Sequence, residues 1–257
     1  MHRRDQRMEA VILQRLEHGP VAELHLNREP ANALNPALVM DLTDGLRQAV
    51  SDGAQAIVIS GKPGMFSGGL DVPELLPLPR GAIREFWELF FALMRTLAGS
   101  PVPVAAAITG HSPAGGAVIA VHCDYRVAAA GEFKLGFNEV RVGLPVPSTI
   151  LVTLADLVGM GQARRLATGG LLISPEEAHA IGMVDELVAP ESVLPRALEW
   201  CESMVRLPPI ALAETRRQAK ADLLQRLSTA DDPEVVTNYW FSEETQREMH
   251  KLVERLS

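Results

Sequence analysis

Residues 101–147 read PVPVAAAITGHSPAGGAVIAVHCDYRVAAAGEFKLGFNEVRVGLPVP, and this stretch decides the fold. The apolar run at 102–108 predicts a short buried strand. The chain breaks at Gly110, and a helix is expected to follow, with Ser112 as its N-cap. Pro113 would take the first helical position, where a missing N–H costs nothing. Gly115 and Gly116 then fall in the first turn, whose N–H groups have no intrahelical partner. Lacking a Cβ, they admit a ligand closely, and the helix dipole favours an anion there. Farther on, Asn138 and Glu139 sit in a Gly-rich loop without helical or strand periodicity. A helix start that stabilises an anion, with a carboxylate on a nearby loop, suits enolate chemistry.

Composition narrows the class. The chain has 257 residues, 47% of them hydrophobic, and a formal net charge of -8. That length can bury a large core. The negative balance leaves no basic footprint for nucleic acid or an anionic membrane, and no apolar run is long enough to cross a bilayer. The N-terminal MHRRDQRMEA is basic without an apolar segment and carries acidic residues, so it reads as a disordered tail rather than a targeting sequence. Two cysteines, Cys123 and Cys201, form neither a disulfide framework nor a metal pattern. Buried thiols in a reducing cytosol are expected.

Residues 11–17 and 21–27 alternate around Gly19-Pro20 and predict a hairpin. Asn35 should cap a helix starting at Pro36, and residues 56–60 read as a buried strand. VPELLPLPRG, residues 72–81, holds three prolines and predicts irregular chain. Ile83, Phe86, Trp87, Phe90, Phe91, Met94 and Leu97 recur at helical spacing and read as core first, with the wall of a binding pocket as the alternative. Three short helices are expected at 149–158, 162–167 and 175–181, then a strand at 183–188. From Val193 onward the periodicity is helical, with breaks at Pro208-Pro209 and Asp232-Pro233. The composition shift places a boundary near Pro190, between a strand-helix core (1–190) and an all-helical region (191–257). Asp124 and Arg126 read as a structural pair, and His122 as a packed histidine.

Several motifs carry a resemblance. GHSPAGGAVIAVHCDYRVAA (110–129) with FKLGFNEVRVGLPVP (133–147) resembles the signature of the crotonase, or enoyl-CoA hydratase/isomerase, superfamily. MFSGGLDV (65–72) resembles that family's Gly-x-Asp loop, and PANALN (30–35) its CoA-contacting segment. The likeness runs from about Ala10 to the C-terminal helices. It implies an α/β superhelix of stacked strand-strand-helix turns, followed by a helical region that assembles a trimer or a dimer of trimers. The substrate it implies is an acyl-CoA thioester. Coenzyme A would enter as part of that substrate, with no metal and no separate cofactor, in a cytoplasmic or, alternatively, mitochondrial-matrix protein.

Residue by residue, the resemblance puts Glu139 on the family's catalytic carboxylate. Phe137, Val140, Val142 and Leu144 would desolvate it, raising its pKa towards what a general base needs. Leu70 and Gly115 would supply two backbone N–H groups to the thioester oxygen, an oxyanion hole worth roughly 3–4 kcal/mol per donor in other enzymes. Ala31, Ala33, Gly68, Gly69, Asp71 and Val72 match the substrate-holding segments, Val118 on the central helix is taken as a further substrate contact, and Asn138 adjoins the base as another.

Val118 departs from the hydratase pattern, which has a second glutamate at this helix position. Orienting and activating a water with one carboxylate is difficult, whereas moving a double bond needs one proton taken and returned. PAGG, the missing glutamate, CDYR and LGFNE resemble the mitochondrial-type Δ3,Δ2-enoyl-CoA isomerase branch, as does the C-terminal FSEETQREMHKLVERL.

Three alternatives compete. The first is an α/β-hydrolase nucleophile elbow at Gly110-His111-Ser112-Pro113-Ala114. It fails because Pro113 has no N–H to donate to an oxyanion. The second is another crotonase reaction: hydration, dienoyl isomerisation, decarboxylation or thioester hydrolysis. The third, CoA binding without turnover, is opposed by the intact Glu139.

Overall fold

A computed structural model describes residues 11–256. The tail expected at 1–10 lies outside the described residues. The chain opens on an antiparallel pair, β1 (Leu13–His18) and β2 (Val21–Leu26), in the register Leu13↔Leu26 to His18↔Val21. The hairpin read around Gly19-Pro20 is therefore present. Helix α1 (Pro36–Ser51) follows, and the Asn35 side chain accepts from the Leu38 N–H as the expected cap.

Three strand-strand-helix turns are then stacked. The first runs β3 (Ala56–Ser60), β4 (Gly64–Met65), a short α2 (Val72–Leu75) and the long α3 (Arg80–Ala98). The second is β5 (Val104–Ile108), β6 (Gly110–Pro113) and α4 (Gly115–His122). The third is β7 (Tyr125–Ala129), β8 (Leu135–Gly136) and α5 (Ser148–Gly169). The first strand of each turn joins a six-stranded sheet ordered β1-β2-β3-β5-β7-β10. The second joins a four-stranded sheet ordered β4-β6-β8-β9. Strand β9 (Leu172–Ile173), α6 (Pro175–Ala180) and β10 (Glu186–Val188) complete the two sheets. The superhelical α/β fold implied by the motifs is the fold observed.

The central strands are apolar on both faces because both are covered. Ile57, Ile59, Val104, Ala106 and Ala128 face the main core under the helices. Val58, Ala105, Ala107 and Val127 face outward, under α7 (Val193–Val205), which brings Val193, Ala197 and Cys201 onto them. The chain ends with α8 (Pro209–Ala219), α9 (Ala221–Leu227), α10 (Pro233–Trp240) and α11 (Glu243–Leu256). Helix α10 lies against α3, with Trp240 edge-on to Trp87.

Local expectations needed correction. The helix read from Ser112 begins at Gly115, and residues 110–113 are strand. Their backbone is claimed by parallel ladders to β4 and β8, including Gly110↔Gly64 and Ser112↔Leu135. The prolines at 72–81 do not exclude helix: Asp71 caps α2 by accepting from the Glu74 N–H. The helices expected at 149–158 and 162–167 run together as α5, kinked where Gly159 takes φ 77°. The Asp124 carboxylate and Arg126 form no ion pair, although Arg126 donates to the Asp124 carbonyl oxygen at 3.4 Å. Arg126 bonds Asp185 at 2.7 Å, while Asp124 takes Arg216 and Lys220 of the helical region. His122 is packed as read: Val118 O lies 2.7 Å from Nδ1 and Thr153 Oγ1 3.0 Å from Nε2. Burial pushes its pKa down to about 4. Both cysteines are buried and unpaired.

Candidate active site

The break between β6 and α4 builds the first half of the site. Ala114 takes φ 43°, ψ -119°, an unfavourable conformation for a residue with a Cβ. The surrounding ladder holds it there: its N–H donates to the Gly136 carbonyl at 2.7 Å. This reversal aims the start of α4 into a cleft. Among the described residues no backbone hydrogen bond is formed by the Gly115 N–H, as a first-turn donor allows.

The second half comes from residues 66–71. Gly69 takes φ 89°, which carries the chain up to α4. A methyl on Gly69 would lie 3.3 Å from the Gly115 nitrogen, and one on Gly115 would lie 3.4 Å from the Gly69 carbonyl carbon. That carbonyl carbon bears the Leu70 nitrogen. The Leu70 N–H likewise makes no backbone hydrogen bond among the described residues. Two unspent donors thus stand on neighbouring turns.

Glu139 opens a short 3-10 helix, Glu139–Val142, which ends at Gly143 with φ 73°. The loop is tied to its surroundings by Arg141, whose Nε donates to Gly170 O at 2.5 Å. Glu139 is 6% exposed, and its Oε2 has no hydrogen-bond partner. Burial pushes its pKa up to about 7. Phe137 and Leu144 are buried as expected. Val140 instead points outward and is 39% exposed, because the 3-10 turn rotates it away from the cleft. The Asn138 amide oxygen is also buried and unpartnered.

These groups line one cleft of about 850 Å³, counted with its open mouth. Gly68, Leu70, Val72, Gly115, Asn138 and Glu139 all border it. Trp87, Phe90, Ile150, Met249 and Leu252 give it an apolar wall. Among the described residues, Glu139 is the one ionisable residue bordering it. Ala31, Ala33, Gly69, Asp71 and Val118 do not border it. Ala31 stands behind Gly68, whose N–H donates to Ala31 O at 2.7 Å. Ala33 accepts from Arg28, and Arg28 also pairs with Asp71 at 2.7 Å. Val118 is fully buried in the body of α4.

Sequence reasoning did not single out the C-terminal wall. Met249, Leu252 and Leu256 recur at i, i+3 and i+7, a helical stripe that was legible without an address. The Ser112 nucleophile is excluded physically: Ser112 is fully buried within a strand and packed against Gly116. Among the described residues, no group of three His, Cys, Asp or Glu is placed to hold a metal ion, and no helix is long and apolar enough to cross a membrane.

Comparison with known proteins identifies the family and the fold. The family model described as enoyl-CoA hydratase/isomerase matches residues 17–257. The human mitochondrial enoyl-CoA delta isomerase 1 is 30% identical over 241 residues, covering 92% of this chain and 80% of that protein. A putative enoyl-CoA hydratase of Thermus thermophilus is 32% identical over 206 residues, covering 78% and 81%. The crystal structure of human mitochondrial delta3-delta2-enoyl-CoA isomerase superposes with a TM-score of 0.91 at 27% identity, covering 96% of this chain and 98% of the other.

Proposed function

The chain belongs to the enoyl-CoA hydratase/isomerase family, and from that premise we propose that it isomerises 3-enoyl-CoA to 2-trans-enoyl-CoA, as in the oxidation of unsaturated fatty acids. One observation carries the choice of reaction: among the described residues, Glu139 is the single ionisable side chain bordering the cleft. Its carboxylate takes a proton from C2 of the thioester, giving a dienolate. The N–H groups of Leu70 and Gly115 hold the developing negative charge on the thioester oxygen. Glu139, now protonated, returns the proton at C4, and the double bond moves to C2–C3. The dry wall of Trp87, Phe90 and Leu252 disfavours quenching of the dienolate by water.

Residues 31–34 and 68–72 hold the nucleotide and pantetheine of the substrate in this reading. The proton shift requires no metal and no redox cofactor. Assembly as a trimer or dimer of trimers belongs to the same proposal, and a monomeric mass in light scattering would count against it. A cytoplasmic location also belongs to this proposal, with the mitochondrial matrix as its alternative.

A second reading, hydration of 2-enoyl-CoA, has one observation in its favour. The unpartnered amide oxygen of Asn138 is a second acceptor next to Glu139, able to take one hydrogen of a water. Assays of a 3-enoyl-CoA and a 2-enoyl-CoA side by side separate the two. Glu139→Gln is expected to bind substrate and lose roughly 10²–10⁴-fold in turnover, as for a general base. Isomerase activity near wild type in that variant would remove Glu139 from the reaction.

A further inference from the structure

Leu34 touches both halves of the proposed oxyanion hole. Its backbone brackets Leu70 in an isolated parallel bridge. The Leu34 N–H donates to Gly69 O at 2.7 Å, and Leu34 O accepts from the Asp71 N–H at 3.0 Å. These two bonds fix the peptides on either side of Leu70, so the direction of the Leu70 N–H follows from them. The Leu34 side chain reaches the other donor. A methyl placed on Gly115 would come within 2.7 Å of Leu34 Cδ1, so the isobutyl group is packed against that glycine. Leu34 itself is fully buried.

The segment around it is anchored from below. Asn32 takes φ 50°, and its side chain accepts from the Arg28 N–H and donates to Phe66 O. Ser67 Oγ donates to Asn32 O at 2.8 Å. Leu34 thus meets the Leu70 peptides through its backbone and Gly115 through its side chain.

We infer that Leu34 is a positioning residue, which fixes the aim of the Leu70 N–H through its backbone and the place of the Gly115 N–H through its side chain. An oxyanion hole acts only when both donors meet the oxygen at 2.7–3.1 Å. A displacement of about 1 Å at such a site can cost about 100-fold in rate. Removing the isobutyl group takes away the packing that holds the start of α4 against the 28–35 segment, and the Gly115 donor is free to shift relative to the Leu70 peptide. The inference rests on the acyl-thioester reading of the cleft.

The test is the absorbance of a bound 2,4-dienoyl-CoA, which moves to longer wavelength when its carbonyl is polarised by hydrogen bonds. Wild type is expected to shift the band, and Leu34→Ala to lose much of that shift. The same variant should lose about tenfold in kcat, a partial loss of one donor's effect, with KM within about twofold. Leu34→Met, of similar volume, should restore both. If Leu34→Ala does not fold, Leu34→Val provides the same readout with a smaller truncation. A folded Ala or Val variant with the wild-type shift and wild-type kcat overturns the proposal. If wild type itself binds the dienoyl-CoA without any shift, the acyl-thioester reading fails first.

Discussion

The hydroxyl of Thr245, in the last helix, donates to the carbonyl oxygen of Gly143 at 2.6 Å. Gly143 closes the 3-10 turn that Glu139 opens, and a methyl on it would lie 3.0 Å from the Thr245 Cα. The same helix contributes Met249, Leu252 and Leu256 to the cleft wall. One element therefore both walls the cleft and pins the loop bearing its carboxylate. The apolar stripe supplies burial, and Thr245 supplies the register.

Replacing Thr245 by Val should test that pin. The shape is kept while the donor is lost, leaving Gly143 O without this partner, at a cost of about 1–3 kcal/mol. Thermal unfolding should register the loss. Turnover of a 3-enoyl-CoA should fall several-fold more than in a control variant at the exposed end of the helix, such as Glu254→Gln. Equal activity in the two variants would show that α11 only covers the cleft.

How much of this was legible in the sequence depends on the range of the interaction. Asn35 capping α1, the strand at 56–60 and the aromatic stripe of α3 are local, and each was readable from a few neighbouring residues. The start of α4 was misread because Ser112-Pro113 is a good local helix start. Long-range ladders to Gly64 and Leu135 outweigh that preference. The pairing of Asp124 failed for the same reason. Its partners Arg216 and Lys220 lie more than 90 positions away, and nothing in the spacing identifies them. Glu139, Leu70 and Gly115 were reachable only through motifs, since their convergence depends on three separate turns of the superhelix.

Gly110 illustrates a requirement that composition cannot show. Its backbone faces Gly64 across the β4–β6 pair, and a methyl there would lie 2.0 Å from the Gly64 carbonyl carbon. Both atoms belong to backbone held in a sheet, so neither can yield cheaply. Gly110→Ala should be destabilised by more than about 3 kcal/mol, at the upper end for an overpacked core, or fail to accumulate as folded protein. By contrast, Gly161 faces open space, and Gly161→Ala should leave the denaturation midpoint unchanged or slightly raised. Similar midpoints for the two variants would contradict the close approach.

The pKa of Glu139 fixes a pH profile. A general base works deprotonated, and burial has pushed this carboxyl up to about 7. In free enzyme, kcat/KM should therefore rise with pH through a midpoint near 7 and level off above it. A carboxyl in water would place that midpoint near 4.5. An activity already flat from pH 5 to 8 would mean that Glu139 is solvated in the working enzyme, or that another group is the base.

The same burial leaves a mark on stability, and its sign is opposite to that of a salt-bridged carboxylate. Glu139 has a folded pKa of about 7 against an ordinary 4.5, so the folded chain holds its proton more tightly than the unfolded chain. Below pH 4.5 both states are protonated and the burial carries no charge penalty. As pH rises from 4.5 to 7, the unfolded chain gives up the proton first, and stability falls across that window. Above pH 7 both states are ionised and the penalty is complete, about 3 kcal/mol for a shift of this size. Glu139→Gln carries no charge at any pH and should escape the penalty. Relative to wild type, the Gln variant should thus gain about 3 kcal/mol in urea denaturation on going from pH 4.5 to pH 8. A difference between the two proteins that stays constant with pH would show that the buried carboxyl is not strained, and would remove the physical basis for its activation as a base.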